Sequence, residues 1–518
     1  MTISNLIRWH RMLLWLGGAT LLIFALTGIS HPIMSWTGPQ AVTMRPPSLQ
    51  LTGMQLTQAM QQLSAQALPA QALVKLVPYR DQVVLQLSSD LSSARQYLPL
   101  DSHLNRQEAP TDQDMAVWLA GHYSGLPADQ VQQVRFQTEF DDAYPSVNRL
   151  LPVYQVDYQS GLSLYIHTES LSLAGITNPY KTTLQSVFRQ FHSWQWLDAT
   201  PTLKIVVMTL LLGSALLLVL TGAWLLFKLP SKAKRRGLRR WHYLLSWALF
   251  VPVLLYLLTG IYHFAYKQVA PETAGLTLPK PQPLPTDALA IATLPSGVLE
   301  SGVLDNDVLE SRVLYNSATL VWMDSQWYWR LSSANPALQA DRQSRYQGQP
   351  SEQGATYIAL TAAQDVTAAA DGAVTPTAGQ TADTIEPEIA SIAASTDIDD
   401  QRYALWLAQQ YTGLAASELQ GKLVTHFGPD YDFRNKRLPV WQFDLASGRV
   451  FVDAVSGQLI EEQSRASQWE RYSFSFVHKW GILQPLLGRE GRDGVVVAIM
   501  LLVISMAVLG FLLRLRRR

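Results

Sequence analysis

Four apolar runs, roughly residues 12–34, 203–227, 243–266 and 494–513, are each long enough to cross a hydrocarbon core of ~30 Å. In lipid every backbone polar group must be satisfied within its own segment, so the runs read as helices. Arg8 and Arg11 precede the first run as they would in a signal peptide. No small-residue cleavage site follows and the run is long, so a retained helix is expected. Lys and Arg then set the orientation. The connection between runs two and three holds Lys228, Lys232, Lys234, Arg235, Arg236, Arg239 and Arg240, and four arginines lie in 514–518. Both ends and this loop are expected in the cytoplasm. The long segments 35–200 and 267–490 are expected outside, in the periplasm of a double-membrane bacterium.

Composition removes several chemistries. The 518 residues include no Cys, which excludes disulfides, Fe–S clusters, Cys-ligated zinc, thiol catalysis and covalent haem attachment. A net charge of zero argues against a nucleic-acid partner. No Gly-rich phosphate loop stands behind a strand, so NAD, FAD or ATP in the usual folds is not expected.

The two halves read as copies. Arg8-Trp9-His10 recurs as Arg240-Trp241-His242, and Leu26-Thr27-Gly28-Ile29-Ser30-His31 as Leu258-Thr259-Gly260-Ile261-Tyr262-His263, both at an offset of 232. Phe191-His192-Ser193-Trp194 answers Val477-His478-Lys479-Trp480. Outside the membrane, Leu151-Pro152-Val153-Tyr154 resembles Leu438-Pro439-Val440-Trp441. The expected fold is a membrane protein with a four-helix bundle of internal pseudo-two-fold symmetry, carrying α+β external domains.

The expected organisation is a first span (1–34), an external domain (35–185), a pre-helix segment with the second span (186–227), a basic loop (228–240) and a third span (241–266). A second external domain (267–470) and a pre-helix segment with the fourth span and basic tail (471–518) follow. Within the external domains, 112–125 has helical spacing behind an Asp/Thr-rich start. Residues 152–164 and 439–459 alternate and turn at Ser160-Gly161, Ser447-Gly448 and Ser456-Gly457, as hairpins do. Strands are weakly signalled in 320–331. A degenerate five-residue repeat occupies 296–315, and the Ala/Thr/Asp-rich stretch 361–400 reads as a linker.

Six of the ten histidines occupy repeated positions. His10 to His31 and His242 to His263 are both 21 residues, about 31 Å along a helix and about 60° apart around it. Each helix would thus carry an imidazole at each membrane face. Two neutral histidines at one depth on facing helices, with small residues making room, are what bis-imidazole haem ligation needs. His10 and His242 form such a pair. Gly28 and Gly260 lie three residues before His31 and His263, and His192 and His478 precede spans two and four on the outer side. The four outer histidines pair either as His31–His263 and His192–His478 or in mixed pairs. Without Cys the haem is b-type, in two copies, or three if every ligand is used. The plainer alternative is interfacial histidines reaching toward headgroups.

His103, His122, His167 and His426 are unrepeated and read as ordinary polar residues. Asp141, Asp142 and Tyr144, matched by Asp430, Tyr431 and Asp432, read either as a ligand-binding cluster or as solvated acidic turns. Most membrane-flanking tryptophans read as an aromatic belt.

On the Arg-Trp-His starts, the Leu-Thr-Gly helix ends at Gly28, Gly222 and Gly260, the His-x-Trp segments and the helix-strand external units, the chain resembles the PepSY-associated transmembrane family. This iron-regulated inner-membrane group includes ferric-siderophore reductases. The resemblance implies PepSY-like periplasmic domains and a haem-containing oxidoreductase. Its activity would be to reduce a periplasmic ferric chelate with electrons from quinol or a separate cytoplasmic reductase. It also implies that matches to His10, His192, His242 and His478 recur more often than matches to His31 and His263. Two other readings stand beside it: a membrane-anchored binding or inhibitory module for periplasmic peptidases without redox activity, and an iron-transport path.

Overall fold

A computed structural model of the chain describes residues 2–64, 72–90, 92–100, 109–229, 237–270, 292–293, 314–334, 352–362 and 398–516. In chain order it begins with α1 (Ile3–Leu13), a π-helical turn (Leu14–Gly18), α2 (Ala19–Thr37) and α3 (Gly53–Ser64). Next come β1 (Leu73–Tyr79), β2 (Gln82–Ser88), β3 (Gln96–Pro99), α4 (Asp112–Ser124), β4 (Val131–Gln137), β5 (Val153–Tyr158), β6 (Ser163–His167) and β7 (Ser172–Thr177). The middle of the chain holds α5 (Pro179–Phe191), α6 (Pro201–Lys228), α7 (Leu238–Val269), β8 (Ala292–Thr293), β9 (Tyr315–Met323), β10 (Gln326–Ala334), β11 (Glu352–Ala359) and β12 (Thr361–Ala362). The last part holds α8 (Asp400–Thr412), β13 (Gln420–Val424), β14 (Val440–Asp444), β15 (Gly448–Asp453), β16 (Gln458–Ser464), α9 (Arg465–Tyr472) and α10 (Gln484–Leu515).

The chain divides into two units. The first comprises 1–39, 177–272 and 466–518, and its described residues contain four helical spans long and apolar enough to cross a membrane: Ile3–Thr37, Pro201–Lys228, Leu238–Val269 and Gly481–Leu515. Each outruns its apolar run because polar flanks continue the helical backbone. Leu21 and Ala25 of α2, Met208, Leu212, Ala215 and Leu218 of α6, Leu249, Val253 and Leu257 of α7, and Met500 and Val503 of α10 form their common core. A β-carbon at Gly17 would stand 2.6 Å from the Ser214 carbonyl oxygen, so glycine is what lets the π-helical turn meet the α6 backbone. That turn also interrupts the α-helical phase between His10 and His31. The 60° relation expected from 100° per residue therefore does not hold in the first span.

The second unit comprises 40–176 and 273–465. A six-stranded sheet runs in the order β11-β10-β9-β1-β2-β3. Its halves come from distant parts of the chain and join where Lys75 and Leu76 of β1 face Thr319 and Ala318 of β9. The outer segments expected as separate domains thus share one sheet. Such long-range pairing leaves no local pattern in either segment. The weakly signalled strands near 320–331 are the antiparallel hairpin β9–β10.

Two four-stranded sheets, β4-β5-β6-β7 and β13-β14-β15-β16, each carry one helix. Met115, Leu119 and Tyr123 of α4 pack on Val156, Leu164 and Ile166, and Tyr403 and Leu407 of α8 on Phe443, Val450 and Val452. The expected helix 112–125 is α4: Thr111 and Asp114 close a capping box at its start, and Gly125 ends it at φ 72°. All three expected Ser-Gly turns link adjacent strands of these sheets. Residues 363–397 of the expected linker, and the five-residue repeat up to residue 313, lie outside the described residues, as does His103.

Candidate functional site

Four glycines in the spans face four histidines. A β-carbon at Gly222 of α6 would lie 3.1 Å from His10 Cε1, and one at Gly260 of α7 would lie 3.4 Å from His478 Cε1. At Gly28 of α2 the His192 Cε1 is 3.9 Å away, and at Gly510 of α10 the His242 Cε1 is 3.8 Å away. Each imidazole therefore lies on a strip of bare backbone belonging to another segment. His10 of α1 and Gly28 of α2 in the first span, and His242 and Gly260 of α7, are separated by roughly 27 Å along the axis. The four imidazoles thus fall at two levels, His10 with His242 and His192 with His478.

Three of the four make the same hydrogen bond through Nδ1. Thr221 Oγ1 is 3.1 Å from His10 Nδ1, Thr27 Oγ1 is 3.0 Å from His192 Nδ1, and Thr259 Oγ1 is 3.1 Å from His478 Nδ1. Each threonine already donates its hydroxyl proton to its own helix, to Leu217 O at 2.8 Å, Ile23 O at 2.8 Å and Leu255 O at 2.6 Å respectively. The hydroxyl is thereby the acceptor and the imidazole Nδ1–H the donor. The unprotonated nitrogen of each neutral ring is then Nε2, the atom a metal takes. His242 differs: Leu509 precedes its glycine, so its buried Nδ1 meets no threonine hydroxyl and the ring is left with the Met506 backbone.

The His192–His478 level is framed by aromatic rings in matched positions. Phe188 stacks on His192 with centroids 4.6 Å apart, and Phe474 stacks on His478 at 4.9 Å. Phe24 meets His192 edge-on at 5.1 Å, and Tyr256 meets His478 edge-on at 5.3 Å. Both imidazoles keep part of their surface open. They are nevertheless packed deeply enough that burial pushes His192 down to about 4. Burial, followed by His192, His263 and Lys479, pushes His478 down to about 3. Both are therefore neutral at pH 7, the form that binds a metal. His192 and His478 are electrostatic neighbours, as are His10 and His242.

His31 and His263 stand apart from these rings. His263 Nδ1 is bonded to the Glu470 carboxylate, and its ring stacks on Phe474 with centroids 4.1 Å apart, so Phe474 lies between His263 and His478. His31 is exposed and lies 6.0 Å from Phe188, the ring that stacks on His192. Gly28, expected beside His31, receives His192.

The two levels fit a haem on the donor set and the space. Each supplies two imidazoles with small residues behind the rings, and at three of the four rings Nδ1 is engaged by a threonine, which leaves Nε2 for another partner. Among the described residues no group of three or more His, Asp or Glu gathers as a metal cage, and bis-imidazole ligation asks for none. The residues that sequence reasoning missed are Thr27, Thr221 and Thr259 as hydrogen-bond partners and Gly510 as the fourth cradle. The signal for three of them was the repeated Thr-Gly pair. For Gly510 there was none, because Leu509 replaces the threonine.

The remaining candidates are absorbed locally. Tyr144 is fully buried, donates to Leu150 O at 2.8 Å and stacks on Tyr165. Asp141 accepts from the Tyr144 backbone N–H at 2.7 Å and pairs with Arg135, while Asp430 pairs with Arg449 at 2.7 Å. His122 Nε2 bonds to Arg45 O at 2.9 Å, and His167 is buried beside Ser170. Compared with known proteins, the chain matches no protein-family model, and no curated protein matches it.

Proposed function

We propose that this chain is a haem b electron-transfer protein of the inner membrane that reduces a ferric chelate on the periplasmic side. The single observation that carries the reading is the four glycine-seated imidazoles, grouped as two pairs at the two ends of the spans. His10 and His242 would ligate at the cytoplasmic level, and His192 and His478 at the outer level. Haem so held supplies reversible one-electron chemistry at each level. The chain's part is to bind and orient. Thr27, Thr221 and Thr259 hold three ligand rings in the tautomer with Nε2 free, and the glycines leave room beside them. The apolar core around Leu212, Val253 and Val503 keeps water out of the interval between the levels.

Under this reading membrane quinol or a separate cytoplasmic reductase supplies the electron, and the ferric chelate receives it. Iron reduced to Fe(II) is a softer ion that hard oxygen donors hold less well, so reduction releases it. The repeated helix-plus-meander units of the second unit support an internal repeat and PepSY-like periplasmic domains. The Arg- and Lys-rich loop and tail support cytoplasmic ends. The exposed domains would then present the substrate.

The test is a dithionite-reduced minus air-oxidised absorption spectrum of the detergent-purified chain, with pyridine haemochrome quantitation. A sharp b-type α band at two haems per chain is expected. Absence of a Soret band in protein made with ample haem would overturn the reading in favour of a membrane-anchored binding module.

A further inference from the structure

The two ligands of the cytoplasmic pair are supported differently, and the difference rests on one residue. At three of the four cradles a threonine precedes the glycine and its hydroxyl meets Nδ1 at 3.0–3.1 Å. At the fourth the residue before Gly510 is Leu509, so His242 Nδ1 meets no threonine hydroxyl and the ring is left with the Met506 backbone alone. A threonine that donates to its own helix and accepts from Nδ1–H builds a short chain of aligned hydrogen bonds. Such a chain fixes ring rotation and tautomer, and makes the other ring nitrogen a better donor to a metal. A ring without it has only the backbone contact that all four rings share, and is held less firmly.

Resting on the haem reading above, we infer that Thr27, Thr221 and Thr259 are positioning residues that lock their histidines as ligands, and that His242, facing Leu509, is the exchangeable ligand. The cytoplasmic level is then built with one firm ligand, His10, and one that yields to an incoming small molecule. The outer level has two firm ligands. The surrounding geometry agrees: Leu14 Cδ1 would lie 3.2 Å from a β-carbon at Gly510, so an apolar side chain rather than a hydroxyl fills the space beside His242.

The experiment is carbon monoxide titration of the full-length, haem-loaded, dithionite-reduced protein, followed in the Soret and α bands. Half of the haem is expected to take up CO, and Gly222→Ala, which crowds the His10 ring, is expected to lose that uptake together with the haem of its level. Leu509→Thr restores the missing hydroxyl and is expected to weaken CO binding ~10-fold, the scale on which outer-shell partners act on metal sites. Thr221→Val removes the hydroxyl from His10 at nearly constant volume and is expected to strengthen CO binding by a similar factor. It also carries the test if Leu509→Thr loads poorly. CO uptake by neither haem, uptake at the outer level, or unchanged titration in a well-loaded variant would each overturn the inference while leaving the haem reading intact. A wild-type chain without haem would overturn the proposed function itself, and haemochrome quantitation separates that failure from the others.

Discussion

Gly222 holds the His10 imidazole against bare backbone: a β-carbon there would stand 3.1 Å from Cε1 of the ring. That is tighter than ordinary van der Waals contact, and the ring edge it meets is tied at Nδ1 to Thr221. Gly222→Ala therefore has to push His10 off its hydrogen bond or push α6 away. At Gly28 the same methyl group would find His192 Cε1 at 3.9 Å and Met500 Sδ at 3.8 Å, both ordinary contacts. If the chain binds haem as proposed, Gly222→Ala should lose most of the haem at the His10–His242 level while Gly28→Ala keeps both. Haem per chain by pyridine haemochrome decides it; equal loading of the two variants would show that the cradle does not seat the ligand.

In sequence His31 and His263 stand among the six candidate ligands, although the family resemblance favours the other four. In the structure a phenylalanine ring lies between His263 and His478, and His263 Nδ1 is bonded to Glu470. We expect His31→Ala and His263→Ala each to retain two haems, and His192→Ala or His478→Ala to retain one. Loss of a haem from either of the first two variants would put His31 or His263 in the ligand set and raise the count toward three.

Glu169, in the turn after β6, is fully buried among cations in the second unit. Lys75 Nζ donates to its Oε1 at 2.5 Å and Arg437 Nη2 to its Oε2 at 2.6 Å, while Arg437 Nη1 reaches Asp453 at 3.0 Å. Burial alone would raise this carboxyl, yet Arg437, Lys75 and His167 hold it well below the usual range. Burial likewise holds His167 well below its ordinary value. Both folded values lie below the unfolded ones. Their contribution is therefore complete above ~6.5, falls first as the unfolded histidine takes a proton, and falls further below ~4.3 as the unfolded carboxyl does. Glu169→Gln leaves buried cations short of a partner and should cost about 3–5 kcal/mol. Protease resistance of the full-length protein between pH 7 and pH 4 reads both effects; a flat profile, or a variant as resistant as wild type, would refute the account.

What the sequence made legible was local. Apolar runs exposed the spans, helical spacing behind an Asp/Thr-rich start marked α4, and Ser-Gly turns at 160–161, 447–448 and 456–457 marked hairpins. The histidines stood out because they recur. What it concealed was non-local: the β1–β9 junction joins residues some 240 positions apart, with no pattern in either strand to announce it. The π-helical turn at Leu14–Gly18 was equally silent, and it removed the phase relation drawn between His10 and His31. Which histidine meets which glycine depends on how helices pack, so Gly28 was assigned to the histidine nearest in sequence and belongs to one 164 residues on.

Trp480 gives a prediction in which backbone and side chain oppose each other. It stands two residues after His478 with φ 54°, in the left-handed region, and Trp194 stands two after His192 with φ 53°. A residue with a β-carbon pays roughly 1–2 kcal/mol to sit there. Glycine does not, although it loses about 0.5–1 kcal/mol through the added freedom of the unfolded chain. The first quantity is the larger. Trp480→Ala removes the indole and keeps the strain; Trp480→Gly removes the same indole and relieves it. Both variants should melt below wild type, since the ring packs near Tyr256 at 6.0 Å between centroids. The glycine variant should melt above the alanine variant, by an amount corresponding to about 0.5–1 kcal/mol. Thermal loss of the Soret band in the holoprotein measures the order. An alanine variant as stable as the glycine one would show that this turn relaxes out of the left-handed region once the indole is gone.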